Sequence, residues 1–280
     1  MEELRKILHM FFSRMGEYEA GGLFSIGHFL LLGLTVGGIC LALNHTLQYS
    51  YQKIRALVKR LIVFLSALEI MKIYFNFHIG NGCELMSWVP LYFCTICIYA
   101  GWLSCFCHGT VQHLGDVFLA TGSLIGGICF LLYPSSSIML YPTFHFLTIH
   151  SFLYHGMMVF IGILMNRSGL VQLQAGDLKY YMFYVTAFCM LAWAINLRCH
   201  TNFMFISDTF PGTLLDIPYR ILGPLYTPVS IAVQAVIPFE VIRWFKRRTD
   251  LLSRPAWYDE QPQKQRAADK KYHSEENRTV

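Results

Sequence analysis

Seven stretches of about twenty mostly apolar residues, set apart by short polar connectors, run through nearly the whole of this chain. A helix rising about 1.5 Å per residue needs about twenty residues to cross a hydrocarbon core about 30 Å thick, so each stretch has the length of one bilayer crossing. The stretches lie at about 23–43, 59–79, 86–106, 114–133, 144–166, 179–197 and 226–245. Over the full 280 residues, 55% are hydrophobic and only 14% charged, with a mean hydropathy of +0.43, too apolar for an ordinary soluble domain. The fold class expected is therefore all-α: a polytopic membrane helical bundle of about seven transmembrane helices. One membrane domain over 23–246 follows an extracytoplasmic N-terminal segment, 1–22, and precedes a tail, 254–280, whose composition is too polar to bury a core and reads as disordered and cytoplasmic.

Charge placement orients the bundle. Lys53, Arg55, Lys59 and Arg60 lie in the first connector, and Arg243, Lys246, Arg247 and Arg248 follow the last stretch, so both belong on the cytoplasmic side by the positive-inside bias. Seven crossings then leave the N-terminus outside and the C-terminus cytoplasmic. The formal charge of +5 is spread over connectors and ends, which suits lipid headgroups and gives no sign of nucleic-acid binding. Most of the nine cysteines fall inside apolar stretches, where a free thiol packs as a small hydrophobe. Residues 1–22 carry Glu2, Glu3, Arg5, Lys6 and Arg14 and lack the apolar core of a cleavable leader, so the first stretch is expected to act as its own insertion signal. The long connector from Arg198 to Tyr226, with Pro211, Gly212, Pro218, Gly223 and Pro224, is expected to lie partly buried at the outer face.

Ionisable residues inside a bilayer cost a few kcal/mol on insertion scales, so those in mid-stretch carry the functional signal. Glu69 and Lys72 stand three residues apart in the second stretch and can pair on one helix face. The fifth holds His145, His150 and His155; His145 and His155, ten residues apart, share a face by the helical period, and His150 is rotated away. The third contains Pro90-Leu91-Tyr92-Phe93-Cys94-Thr95-Ile96-Cys97, where a proline frees backbone groups and kinks the helix. Cys94 and His155 lie at matching depths, ~14 to 17 Å from the same side, and a cysteine and histidine at one depth can form a thiolate–imidazole pair. The plainer reading of each residue is packing for the cysteines and a helix-locking ion pair for Glu69 and Lys72.

Other chemistries find little support. Cys94-x-x-Cys97 is a weak metal pattern, H-E-x-x-H is missing, and the sequence has no G-x-S-x-G elbow, phosphate loop or dinucleotide fingerprint. No metal and no cofactor is expected.

Four segments together carry a resemblance: Phe24-Ser25-Ile26-Gly27-His28, Val89-Pro90-Leu91-Tyr92-Phe93-Cys94-Thr95-Ile96, Ser151-Phe152-Leu153-Tyr154-His155-Gly156, and Thr201-Asn202-Phe203-Met204-Phe205. In order and placement they resemble the YwaF family of bacterial membrane proteins, and Glu69 fits the same pattern. That family is similar to the transmembrane protein 164 group of animals, which includes a membrane acyltransferase thought to carry an acyl chain on a cysteine assisted by a histidine. The resemblance implies a bacterial plasma-membrane protein with Cys94 and His155 as the catalytic pair. The animal pattern has a histidine directly after the cysteine, where this chain has Thr95, and His150 offers a second alignment for the assisting histidine. The function implied is a lipid acyltransferase or lipid hydrolase working through an acyl-thioester, with membrane lipids as substrates. His28, Glu69, Lys72, Tyr154 and Asn202 are expected to form a polar pocket around the pair, and Asn202 or Thr95 to donate to an oxyanion. The alternative is a transporter or a small-molecule- or lipid-binding membrane protein whose intramembrane pocket binds without reacting.

Overall fold

The computed structural model describes residues 1–46, 49–209 and 216–248. The expected tail at 254–280 and residues 210–215 of the long connector, Pro211 and Gly212 among them, lie outside the described residues. Within them the chain is helical and contains no strand. The helices are α1 (Glu2–Phe11), α2 (Ile26–Thr46), α3 (Tyr51–His78), α4 (Leu85–Trp88), α5 (Ile96–Phe106), α6 (Gly109–Ala120), α7 (Gly122–Leu132), α8 (Phe146–Arg167), α9 (Leu178–Cys199), α10 (Asp216–Leu222) and α11 (Tyr226–Arg248).

Five helical segments are long and apolar enough to cross a bilayer: Ile26–Thr46, Gly109–Leu132, Phe146–Arg167, Ala175–Cys199 and Asp216–Arg248. The expected second and third crossings are not among them. The second corresponds to α3, which is long but carries Glu69 and Lys72 within its apolar run. The third is broken into α4 and α5 by an irregular stretch at 89–95. Pro90 explains the break: it has no N–H to donate and holds the preceding residue out of the α region, and Val89 accordingly sits at φ −77° and ψ 117°.

The fourth expected crossing bends as well. Thr121, at φ −122° and ψ −74°, separates α6 from α7. The bend is satisfied internally, because the Asn166 side-chain amide on α8 donates to Ala120 O at 2.7 Å and the Thr121 hydroxyl donates to Val117 O at 2.7 Å. A membrane interior supplies no water to bind a freed carbonyl, which is why a polar side chain from the next helix does so.

Helix α8 is the axis of the bundle, packed against α2, α3, α6 and α7, and most of its length is buried. Its approach to α7 is close enough that a Cβ on Gly127 would come within 2.8 Å of His155 O. Helices α5 and α6 approach as closely, since a Cβ on Gly115 would meet Ala100 O at 2.3 Å. Small residues at such crossings let backbones meet where lipid provides no hydrophobic drive. By contrast α2 leans mainly on α8 and leaves Phe29, Leu34 and Leu41 facing outward.

Residues 1–22, expected as an extracytoplasmic segment, begin with α1, whose Leu4, Ile7, Leu8 and Phe11 recur at helical spacing opposite Glu2, Glu3, Arg5 and Lys6. It is too short and too charged to read as a crossing. In addition, His145 does not share a helical face with His155. It is the N-cap of α8, where extended backbone precedes the helix, so the helical period does not reach it. Its Nδ1 accepts from Leu147 N and its Nε2 donates to Ser13 O at 3.1 Å, fastening the segment after α1 to the start of α8.

Candidate functional site

The break at Pro90 places Cys94 on an irregular turn ahead of α5. After Val89 the chain makes a turn in which the Thr95 hydroxyl accepts from Tyr92 N at 2.8 Å and donates to Tyr92 O at 3.1 Å. The first amides of α5 are already spent, Ile96 N on Tyr92 O, Cys97 N on Cys94 O and Ile98 N on Thr95 O. The N–H groups of Phe93, Cys94 and Thr95 make no hydrogen bond within the described residues. Cys94 is half-buried on this turn with a free thiol, whereas Cys97, one helical turn on, is fully buried against Ser123.

His155 lies opposite, in the middle of α8 and 8% exposed. Its Nδ1 meets Ser151 O at 2.7 Å. A carbonyl only accepts, so Nδ1 carries the proton and Nε2 is left as a bare lone pair. That nitrogen is buried with no hydrogen-bond partner among the described residues. The ring is held flat against Phe130 of α7, centroids 3.5 Å apart and planes 7° apart, with Tyr154 edge-on at 5.4 Å. His150 follows a similar logic: Nε2 donates to Leu68 O at 3.0 Å, and Nδ1 is buried without a partner.

Two links bring the turn of Cys94 and the turn of His155 together. The Tyr154 hydroxyl donates to Cys94 O at 3.5 Å, a long and weak bond, and Cys129, beside the Phe130 that carries the His155 ring, lies within electrostatic reach of Cys94. The thiol itself makes no hydrogen bond to either histidine.

The charged members of the cluster come from α3. Lys72 Nζ donates to Glu69 Oε1 at 2.5 Å, which realises the pairing expected from their spacing. Glu69 is only 4% exposed, so the pair offsets the cost of a buried carboxylate. The His150 bond to Leu68 O sets α8 against α3 beside this pair. Among the described residues, Lys72 is the cation whose field reaches Cys94, His150 and His155 alike. Its remaining N–H bonds have no acceptor among the described residues.

The other expected pocket residues are committed elsewhere. His28 donates from Nε2 to Leu131 O at 3.0 Å and accepts at Nδ1 from Phe24 N at 3.1 Å, so it ties α2 to the end of α7 with no lone pair to spare. Asn202 folds its own loop: Oδ1 accepts from Ser207 N and Asp208 N, and Nδ2 donates to Asp208 O. The Thr95 hydroxyl proton is spent on Tyr92 O. The Thr95 hydroxyl proton is thus occupied and one Asn202 N–H is used within its own loop, while the backbone amides of the Cys94 turn make no hydrogen bond among the described residues and the Lys72 ammonium gives one proton to Glu69. The 202–205 loop still matters to the site, because Phe203 and Phe205 pack on Tyr92, at 5.6 and 5.5 Å, and shield the Cys94 turn. Met204 and Phe205 both hold positive φ there, 58° and 53°, pinned by Gln234 Nε2 donating to Met204 O and the Tyr226 hydroxyl donating to Phe205 O.

Sequence reasoning missed Phe130, Ser151 O and the Arg55–Asp116 pair. The first two act through placement alone and leave no motif. Asp116 had a signal, a carboxylate inside an expected crossing. It takes a bidentate bond from Arg55 at 2.7 and 3.1 Å and a further bond from the Ser104 hydroxyl, a fully partnered cluster far along α3 from Glu69.

Comparison with family models matches residues 23–237 to the TMEM164 family, and the chain belongs to that family. Comparison with curated proteins and with solved structures finds no match.

Proposed function

We propose, taking membership of the TMEM164 family as the premise, that this protein is a membrane-embedded lipid acyltransferase or lipid hydrolase working through a Cys94 acyl-thioester. The observation that carries the reading is the His155 imidazole: its tautomer is fixed by Ser151 O, leaving a buried, unpartnered Nε2 on the helix turn that touches the Cys94 turn. A buried lone pair without a partner is costly, and a base awaiting a proton accounts for it.

In the first half-reaction the Cys94 thiol gives its proton to His155 Nε2 as the sulfur attacks a lipid ester carbonyl. The C–O bond breaks, and the departing alkoxide takes the proton from His155 to leave as a lysolipid. In the second, His155 removes a proton from an acceptor hydroxyl or water, whose oxygen attacks the thioester. The C–S bond breaks, and the sulfur recovers the proton as the thiol. Negative charge developing on the carbonyl oxygen is met by the N–H groups of Cys94 and Thr95 and by the Lys72 ammonium, donors left unspent in the resting protein. The missing thiol–imidazole bond is compatible with this scheme, since such bonds tighten when substrate arrives. We further propose that the chain stands with the bacterial, YwaF-like members, in the plasma membrane with its N-terminus outside.

The test is intact-protein mass spectrometry of detergent-purified protein after incubation with phospholipid. A hydroxylamine-labile acyl mass on wild type, absent from Cys94→Ala and strongly reduced in His155→Ala, is expected. No adduct on wild type with any lipid class, or an undiminished adduct on Cys94→Ala, would overturn the reading.

A further inference from the structure

An aromatic groove of about 540 Å³, none of whose walls belongs to the cluster around Cys94, is lined by Phe11, Phe12, Met71, Tyr74, Phe75 and Phe146, with His78 as its polar member. We infer that this groove is a seat for one acyl chain of a membrane phospholipid. The inference rests on the acyl-transfer reading for its role but not for its existence.

The groove is built by the fold and does not depend on a ligand to form. Phe75 and Phe146 pack with centroids 4.5 Å apart, Phe11 leans on Phe144 and Phe146 at 5.4 and 6.1 Å, and Phe12 on Phe75 at 6.0 Å. The segment that brings Phe11 and Phe12 there is fastened by the His145–Ser13 bond and by Gly21 N and Gly22 N donating to Tyr141 O and Ile138 O. Met71, Tyr74, Phe75 and His78 repeat at the spacing of one face of α3, so a single helix supplies a strip about 10 Å long, 7 residues at about 1.5 Å each.

Two observations favour a lipid chain as occupant. The volume falls within the range of about 300–1,000 Å³ typical of small-molecule sites, and its walls are aromatic or thioether apart from His78. Helix α1 buries none of its residues, and its apolar side faces away from a charged one, the build of a helix lying in the membrane interface, and Phe11 at its end is itself a wall of the groove.

The seat also abuts the proposed reaction site. Phe146 touches the His150 ring at 5.9 Å, and Lys72 lies on α3 between Met71 and Phe75. Tyr154, the contact to Cys94, is eight residues from Phe146 along α8, about 12 Å. A lipid held here is stored beside the buried cluster before its ester moves inward.

The experiment uses the full chain in phosphatidylcholine nanodiscs containing a small fraction of phosphatidylcholine with a diazirine in one acyl chain. After illumination, adducts are mapped by peptide mass spectrometry. Adducts on Met71, Tyr74 and Phe146 should exceed those on the outward face of α2, at Phe29, Leu34 and Leu41, by at least fivefold at each probe fraction. Met71→Trp and, separately, Tyr74→Trp, both at exposed rim positions that the fold tolerates, should cut the groove adducts at least fivefold and leave those on α2 unchanged. The same pattern in Cys94→Ala separates lipid seating from acyl transfer. Groove labelling no stronger than that of α2, that ignores both tryptophan variants, or that is blocked by a second copy of the chain would overturn the inference.

Discussion

Gly127 offers the sharpest test of how closely the site depends on helix packing. A Cβ at this position would lie 2.8 Å from His155 O and from Val159 Cγ2, and 3.2 Å from Val159 N. Two of the three atoms are backbone of α8 and cannot swing away. Restoring an ordinary contact of about 3.4 Å from 2.8 Å requires α7 and α8 to part by about 0.6 Å. Overpacking of this kind costs about 1–3 kcal/mol, against which the helix gains up to about 1 kcal/mol on replacing glycine. Phe130 sits one turn beyond Gly127 and holds the His155 ring, so the same movement displaces the proposed base. A misplacement near 1 Å costs about 100-fold in rate, so Gly127→Ala should slow thioester formation by about 10- to 100-fold.

The control is Gly33→Ala on α2, where a Cβ meets nothing within 4 Å and stability should hold or rise slightly. Unfolding in a graded SDS series, followed by labelling of the buried Cys97 and Cys189 thiols, should rank Gly127→Ala below wild type and Gly33→Ala at or above it. Equal stability and equal acylation rates in the two variants would refute the argument that the close α7–α8 approach sets the position of His155.

Asp116→Asn should destabilise the protein by about 2 kcal/mol in the same SDS series, less than the 3–5 typical of a fully buried pair because the Arg55 side chain is still 20% exposed; adding Arg55→Met should recover part of the loss. Pro90→Ala restores an N–H where the third crossing breaks, so α4 should extend toward α5 and Cys94 labelling by a lipophilic maleimide should fall several-fold. His28→Gln should cost about 1–3 kcal/mol through its two lost bonds yet leave any Cys94 thioester forming at the wild-type rate, the reverse of His155→Gln, which should retain the fold and lose the thioester.

The positions of the apolar stretches were legible because twenty apolar residues have one cheap solution in lipid, and helices occupy all seven expected segments. The number of crossings was less so, since α3 carries charge and the third segment is broken, and only five segments have the length and apolarity on their own. The Glu69–Lys72 pair was readable from spacing because both partners lie on one helix. The bonds of His28 and Asn202 were not readable for the opposite reason: their partners lie 103 residues away in one case and in a non-helical loop in the other.

Composition, helical period and the missing N–H of proline were enough to specify a helical membrane protein with a kink at Pro90 and to single out its intramembrane polar residues as candidates. Tertiary structure alone decided which of those residues are free. Ser151 O fixes the tautomer of His155, Phe130 fixes its plane, Leu68 O occupies one nitrogen of His150, and Phe11, Phe75 and Phe146 meet to form a groove. Each is a contact between groups whose separation in space depends on how helices cross, and no local pattern in the chain encodes that.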